Sequence, residues 1–470
     1  MIPVVPIMIF IPSIAILALL LSDDRHSSRI IVLSTLLNLL ITILILASSL
    51  ASGSVNLSEQ YPYIGSLGVS FGFRINAISL ALLIMSSVVL LAASLSGNPE
   101  KEQNRASSML IALFQIASIG LFSSANLFMF FIFWDIGVIA MFFMINLLGS
   151  ANRKAASMNF IIYEIFASSL LLLGILLIYF YMPVHSLDIS YIMSNAASMP
   201  QNVQVIIFAL LFVAFMINMP LFPMHFWLPD AHTEASTQGS MLLSGILTKF
   251  GGFGMLLLFL MMPIAAKYSL YVAALATVSV FYSVLLLMFQ TDIKRIIAYS
   301  TIVEMGIIMV GISALNPLGT YGATYMMLSH GLVIALMFLV IGTLKHSFGE
   351  RSISALKGTV TDAASTTYAF LAGTLAMIGF PLTAGFIADI LLFLGSLQAF
   401  GIFGIVPLFA VILMGGFLYF VLGKSMLSTR ESSRAVEFVA TRQKIGYAML
   451  LFFIFLYGIV PFALLGLVKL

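Results

Sequence analysis

The chain has no cysteine. That excludes disulfides, iron–sulfur clusters and thiolate metal sites, and no cofactor is expected on it. Charge is almost as scarce. Asp, Glu, Lys and Arg together make up 8% of the 470 residues, whereas a soluble globular domain carries about 25%. The formal net charge of +3 is not gathered into a basic face, so nucleic acid is not a partner. Apolar residues, at 61%, are what the chain does have. They run almost end to end, as expected for a polytopic helical membrane protein whose first partner is the lipid bilayer. The 28 methionines and 40 phenylalanines are lipid-facing and packing residues.

Counting apolar runs gives an all-α protein of about fourteen membrane spans forming one transmembrane domain, 1–470. The run Met1–Leu21 lacks a basic leader and a clear small-residue cleavage site, so it is expected to be the first span. Basic residues test the count. Sixteen of the twenty fall in odd-numbered connections: Arg25, Arg29, Lys101, Arg105, Arg153, Lys154, Lys294, Arg295, Lys345, Arg351, Lys357, Lys424, Arg430, Arg434, Arg442 and Lys444. Arg74, Lys267 and Lys469 fall on the other side, and Lys249 within a span. Positive charge marks the cytoplasmic face, so both termini are expected outside, in a prokaryotic cell membrane. The connection after span 7 has no Lys or Arg, and its cytoplasmic placement rests on parity alone.

Proline interrupts two of the spans. Pro220 and Pro223 fall at the end of the seventh, 203–224, and Pro381 falls in 366–397, too long for one straight crossing and containing Gly379-Phe380-Pro381-Leu382-Thr383-Ala384-Gly385. Proline removes a backbone donor and clashes with the preceding turn. Pro220 by itself is equally well read as a simple kink. Breaks five spans apart point to an inverted pair of five-helix units, spans 4–8 and 9–13. The corresponding segments are 1–106 for the N-terminal helices, 107–263 and 264–424 for the repeats, and 425–470 for the last helix. Transport sites lie where such broken helices meet.

After the first break comes a polar cluster, His225, Asp230, His232 and Glu234, and then an apolar helix with Lys249 near its middle. Glu234 reads best as part of a solvated loop. Lys249 has about eleven apolar-side residues on either hand, too many for its ammonium to reach water by snorkelling. Four carboxylates also fall within spans: Asp135, Glu164, Glu304 and Asp389, with His330 eight residues into the eleventh. A charge at the bilayer centre costs about 2.5–3.5 kcal/mol on insertion scales, so such groups normally face the interior and belong to ion or proton paths. Histidine relays protons near neutral pH. Blander readings stand beside two of them: Glu164 as a protonated packing residue, and Glu304 as a partner of the edge cluster Asp292–Arg295. No two of these acids sit a helical turn apart, so no metal site is expected.

These motifs, taken together, are similar to one family. Phe222-Pro-Met-His-Phe-Trp-Leu-Pro-Asp-Ala-His-Thr-Glu-Ala235 and Ser244-Gly-Ile-Leu-Thr-Lys-Phe-Gly-Gly-Phe-Gly254 resemble the signature of the antiporter-like subunits of respiratory complex I, shared with Mrp-type antiporters and membrane-bound hydrogenases. Asn126-Leu127, Phe133-Trp134-Asp135, Asp292–Ser300, Ser329-His330-Gly331 and Gly385–Asp389 continue the match in order over roughly 70–400, nearest the M (chain 4) type. The resemblance implies that Asp135 stands at the family's fifth-helix glutamate and Lys249 at its eighth-helix lysine. It likewise puts His330 at the eleventh-helix histidine and Asp389 at the twelfth-helix acidic group. The chain departs from the family at Asn218, where a seventh-helix lysine is usual, at Glu304, often histidine, and at Asn76, commonly aspartate. Without the seventh-helix lysine Asp135 loses its usual cationic neighbour, which disfavours its ionised form, unless Lys249 compensates as the cation for Asp135.

The implied function is proton translocation in a complex I-like redox-driven pump of the NADH-quinone oxidoreductase type, whose other membrane subunits are the partners. Alternatives are a Mrp-type sodium/proton antiporter subunit, and a structural, non-pumping subunit of a membrane arm. Electron transfer would belong to the partners, not to this chain.

Overall fold

The structure, a computed structural model, describes residues 3–64, 69–97, 104–429 and 439–467. Lys101, Arg430, Arg434 and Lys469, used above to orient the chain, lie outside the described residues. Fourteen helices are long and apolar enough to cross a membrane. We label them α1 (Val4–Leu21), α2 (Asp24–Ser52), α3 (Ala77–Ser96), α4 (Arg105–Ser123), α5 (Leu127–Leu148), α6 (Arg153–Tyr181) and α7 (Gln201–Asn218). The rest are α8 (Thr237–Met261), α9 (Ala265–Met288), α10 (Ile293–Ser313), α11 (Pro317–Phe348), α12 (Ala384–Gly404), α13 (Val406–Lys424) and α14 (Thr441–Ile459).

Polar cap residues start several of these helices. The side chains of Asn76, Asn104, Asn126, Asp292 and Asn316 each accept a backbone N–H two or three residues on. A helix leaves its first N–H groups without partners, and hydrocarbon offers none, so these caps set where each crossing begins. Asn76 is one of them: at this position the amide caps α3.

The core is formed by α3, α8, α10 and α11. The apolar stretches of the last two are buried throughout and those of the first two nearly so, whereas in α1, α6 and α12 most residues are not fully buried. Where α12 crosses α11, a Cβ on Gly395 would collide with the backbone of Gly319. Small residues allow this close approach, and packing of this kind is what holds membrane helices together once lipid has removed the hydrophobic drive.

One element departs from the all-helical expectation. Strands β1 (Leu57–Ile64) and β2 (Val69–Ile75) form an antiparallel pair between α2 and α3, from Leu57 opposite Ile75 to Ile64 opposite Val69, with a shift in register between Pro62 and Ile64. It lies against the neighbouring connections. Phe73 bridges to Ser124 before α5, Asn126 bridges to Asp188 after α6, and the Arg74 guanidinium donates to Ser190.

The opposite face is tied together by the basic connections. Arg442 donates to Ser28 at 2.6 Å, Lys345 to Ser150 at 3.2 Å and Lys294 to the Ala235 carbonyl at 2.6 Å. Arg351 pairs with Asp292 at 3.2 Å and donates to the Thr233 carbonyl at 2.9 Å. Contacts to Thr233 and Ala235 put the connection after α7, which carries no Lys or Arg of its own, on the same face as the basic ones.

Both breaks are present. α7 stops at Asn218, and a turn holding Pro220, Pro223 and a cis Phe222–Pro223 bond leads to a short helix, Trp227–Glu234. Freed backbone groups find partners there: the Trp227 indole N–H donates to the Ile217 carbonyl at 2.9 Å, and Phe222 N–H to Ser279 Oγ at 2.9 Å. The twelfth crossing is made of Ala364–Met377, a turn through Pro381, and α12. Gly379 has φ +66° in that turn, and a Cβ there would run into the Asp389 carboxylate. A third irregularity was not visible in the sequence. α8 widens to a π turn over Leu243–Leu247, just before Lys249, a feature frequent at functional positions.

The glycine crossing gives a stability test. Gly395→Ala must push α12 away from α11 and should cost about 1–3 kcal/mol, the usual range for overpacking. Gly416→Ala, whose Cβ would meet nothing within 4 Å, should leave the unfolding midpoint in detergent unchanged. Equal midpoints for the two variants would count against the close α11–α12 contact.

Candidate functional site

The buried polar residues fall into two groups that meet at α8. The larger is centred on Lys249, which is 0% exposed. Its ammonium donates to the Ser244 carbonyl, which the π turn presents to it, and lies 3.4 Å from Thr248 Oγ1 and 2.6 Å from His330 Nδ1. From Ser244 the row continues through its hydroxyl, 2.6 Å from His232 Nε2 and 3.2 Å from Thr301 Oγ1. His232 is itself stacked on Phe338 at 4.4 Å.

On the far side of His330 lies a small cavity lined by Glu304, Ser329, His330, Gly385 and Asp389, among others. Its volume is about 10 Å³, close to the least that a water molecule needs. Glu304 Oε2, His330 Nε2 and Asp389 Oδ1 are buried without a partner in the protein. Buried polar atoms left alone are costly, and three of them around a space of this size supply the two to four contacts that a trapped water requires. The imidazole thus has one nitrogen against the ammonium and the other unpaired beside two carboxyls, the arrangement a relay needs. Glu304 does not join the edge cluster. Lys294 and Arg295 are engaged by Ala235 and Asp230, and Glu304 lines the cavity.

The smaller group lies between α5, α6 and α7. Ser168 donates to Asp135 Oδ1 at 2.5 Å. One turn away on α6, Glu164 accepts from the Asn218 amide nitrogen at both carboxyl oxygens, 3.2 and 3.1 Å. Asn218 Oδ1 in turn accepts Gly251 N–H at 2.8 Å, two residues beyond Lys249. Glu164 and Asn218 are 0% exposed; Asp135 is half-buried. Lys249 does not compensate as the cation for Asp135. Its ammonium is turned toward the Ser244 carbonyl and His330, and Asp135 is bound by a serine hydroxyl instead. The widened turn in α8 sets that direction, and no spacing rule would have revealed it.

Two further positions stand apart from both groups. His225 is boxed by Phe222, Phe226 and Tyr282, with ring centroids at 6.0, 4.4 and 5.4 Å, and neither nitrogen has a partner. Asp230 pairs with Arg295 at 3.2 Å near the surface. Together with Asn152, Asn159 and Glu234 these two line an open cavity of about 620 Å³ on the basic face. Glu234 is engaged rather than free in solvent: its carboxylate accepts Asn152 N–H at 3.0 Å. Sequence reading assigns no role to Ser168, Ser244, Thr301 or Ser329, although Ser244 and Ser329 lie within the motifs and Ser168, four residues after Glu164, is on the same helical face.

A family model described as NADH:quinone oxidoreductase/Mrp antiporter, TM matches residues 124–415. NADH-quinone oxidoreductase subunit M of Rickettsia felis is 30% identical over 482 aligned residues, covering 100% of this chain and 97% of that protein. The fold is shared with a chain of respiratory complex I from Thermus thermophilus (TM-score 0.90, 22% identity, 98% of this chain and 97% of that one). A chain of an archaeal membrane-bound sulfane sulfur reductase is similar too (TM-score 0.89, 25% identity, 99% of this chain and 77% of that one). With the broken α7, the lysine-bearing α8 and the histidine-bearing α11 in their places, the chain belongs to the NADH:quinone oxidoreductase/Mrp antiporter family of membrane subunits.

Proposed function

We propose that the chain is a proton-translocating, antiporter-like subunit in the membrane arm of a complex I-like, redox-driven pump. The observation that carries this is the continuous row His232, Ser244, Lys249, His330, then the cavity shared by Glu304 and Asp389. Buried ionisable groups are expensive in a membrane and persist where ions or protons pass. Lys249 and His330 are in direct contact, and the cavity joins His330 to the two acids; His232 meets the Ser244 hydroxyl while Lys249 meets the Ser244 carbonyl, so that step needs a bridging water. Protons are taken up from the cytoplasmic side at the cavity lined by Asn152, Asp230, Glu234 and Arg295, beside the broken α7. They pass by Lys249 and His330 to Asp389, on the sparsely covered α12, and leave outside. Asp135, half-buried on α5, couples electrostatically to a neighbouring subunit. Electron transfer belongs to partner subunits.

The two breaks support an inverted repeat, 107–263 against 264–424, between an N-terminal unit 1–106 and the last helix in 425–470. Helix for helix, Asp135 on α5 then corresponds to Glu304 on α10, and Glu164 on α6 to His330 on α11. Both termini are placed outside a prokaryotic cell membrane, with the basic face toward the cytoplasm.

In the assembled complex reconstituted into liposomes, Lys249→Ala should lower proton pumping several-fold more than it lowers electron transfer. An unchanged number of protons per electron would refute the path. His232→Gln should slow pumping, because it ends the row at Ser244. His225→Gln, outside the row, should leave the pumping rate as in the wild type; the opposite ranking of the two histidines would redirect the uptake route. Sodium-dependent pumping, with small antiporter subunits copurifying in place of quinone and iron–sulfur partners, would instead assign the chain to a Mrp-type assembly.

A further inference from the structure

The smaller polar group lacks what such a site normally holds, a cation. Asp135 and Glu164 project from adjacent helices. They are joined through one face of α6, where Ser168, bound to Asp135 at 2.5 Å, stands one turn from Glu164. The Asp135 carboxyl bears on Glu164 from the adjacent helix. α7 contributes the neutral amide of Asn218. The short helix Trp227–Glu234, also packed on α6, keeps Asp230 and Glu234 at the basic face, bound to Arg295 and Asn152, and its His232 is held by Ser244 in the Lys249 row. Lys249 is turned away toward His330. With Glu164 fully buried, ionising both carboxyls adds like-charge repulsion to the cost of burying a charge.

We infer that Asp135 and Glu164 form a proton-sharing carboxyl pair, with Asn218 as the neutral donor that holds Glu164, and that this pair replaces a carboxylate–lysine pair. The inference rests on the proton-pumping reading and adds to it a loading site separate from the Lys249 row. The shared proton is the ligand. Asn218 cannot neutralise a carboxylate, but its amide nitrogen, within reach of both carboxyl oxygens, fixes Glu164 in place. Its carbonyl, bound to Gly251 N–H, ties the pair to the helix that carries Lys249. When the pair gains or loses its proton, the charge beside α8 changes by one unit, and no lysine has to move. Titration of such a pair belongs to both groups together.

Infrared difference spectroscopy on the assembled complex across neutral pH tests this directly. Wild type should show a protonated-carboxyl band that Glu164→Gln abolishes. Asp135→Asn should keep the band but change the pH at which it disappears by about one unit or more. Asn218→Lys, which supplies the missing cation, should abolish the band and slow pumping, although it moves the chain toward its family. If Glu164→Gln does not assemble, Glu164→Asp and Asp135→Asn carry the test, with the band retained in the first. Persistence of the band in Glu164→Gln, or the same pH dependence with and without Asp135, overturns the pair. So does its loss on adding sodium chloride at constant pH, which would give the site to a sodium ion. Lys249→Ala should leave the band in place. If the band behaves as expected while Lys249→Ala pumps normally, the pair stands and the Lys249 path falls.

Discussion

Hydrocarbon supplies no hydrogen bonds, and the architecture of this chain follows from that constraint. Each backbone group freed where α7 breaks, and each ionisable side chain buried near it, must be met from within the protein. The answers are specific: the Trp227 indole on the Ile217 carbonyl, Ser279 on Phe222 N–H, and Asn218 on Gly251 N–H. These bonds hold the end of α7 against α8 and α9. They also keep an irregular stretch of backbone, with two prolines in it, at a depth where open loops do not survive.

The same constraint sorts the charged residues. Those that reach the basic face find ordinary partners, as Arg295 does in Asp230 and Arg351 in Asp292. The more open of the two, Arg295 with Asp230, contributes little, typically below about 1 kcal/mol. Those at depth are chained instead: Lys249 to a carbonyl and an imidazole, Glu164 to an amide, Glu304 and Asp389 to a common cavity. The chemistry of the site is therefore a by-product of satisfying buried polar groups, with a few atoms deliberately left over. His330 Nε2, Glu304 Oε2 and Asp389 Oδ1 are those atoms.

Departures from the family pattern are also local solutions to this problem. Asn218 in place of lysine would leave Asp135 beside an uncompensated position, yet the amide has its own carboxyl partner in Glu164, on the next helix. Glu304 in place of histidine brings a second acid to the cavity of Asp389. In both places the exchange is of one hydrogen-bonding group for another, within reach of a neighbour that can answer it.

Composition and hydropathy alone determined that the chain spans a membrane about fourteen times, because a crossing needs some twenty apolar residues and nothing else in a sequence looks like that. Prolines 220, 223 and 381 marked the breaks, since proline acts on its own backbone. Charges within apolar runs marked Asp135, Glu164, Lys249, Glu304, His330 and Asp389, since their cost is independent of their neighbours. What each of them faces was decided only by tertiary structure. Direction around a helix depends on local winding, and the π turn at Leu243–Leu247 sends Lys249 to His330 and not to Asp135. Pairings such as Glu164 with Asn218, 54 positions apart, exist only because α6 and α7 pack side by side. The strand pair before α3 was missed for a related reason: β pairing is made between segments, and one strand alone carries too little pattern to announce its partner.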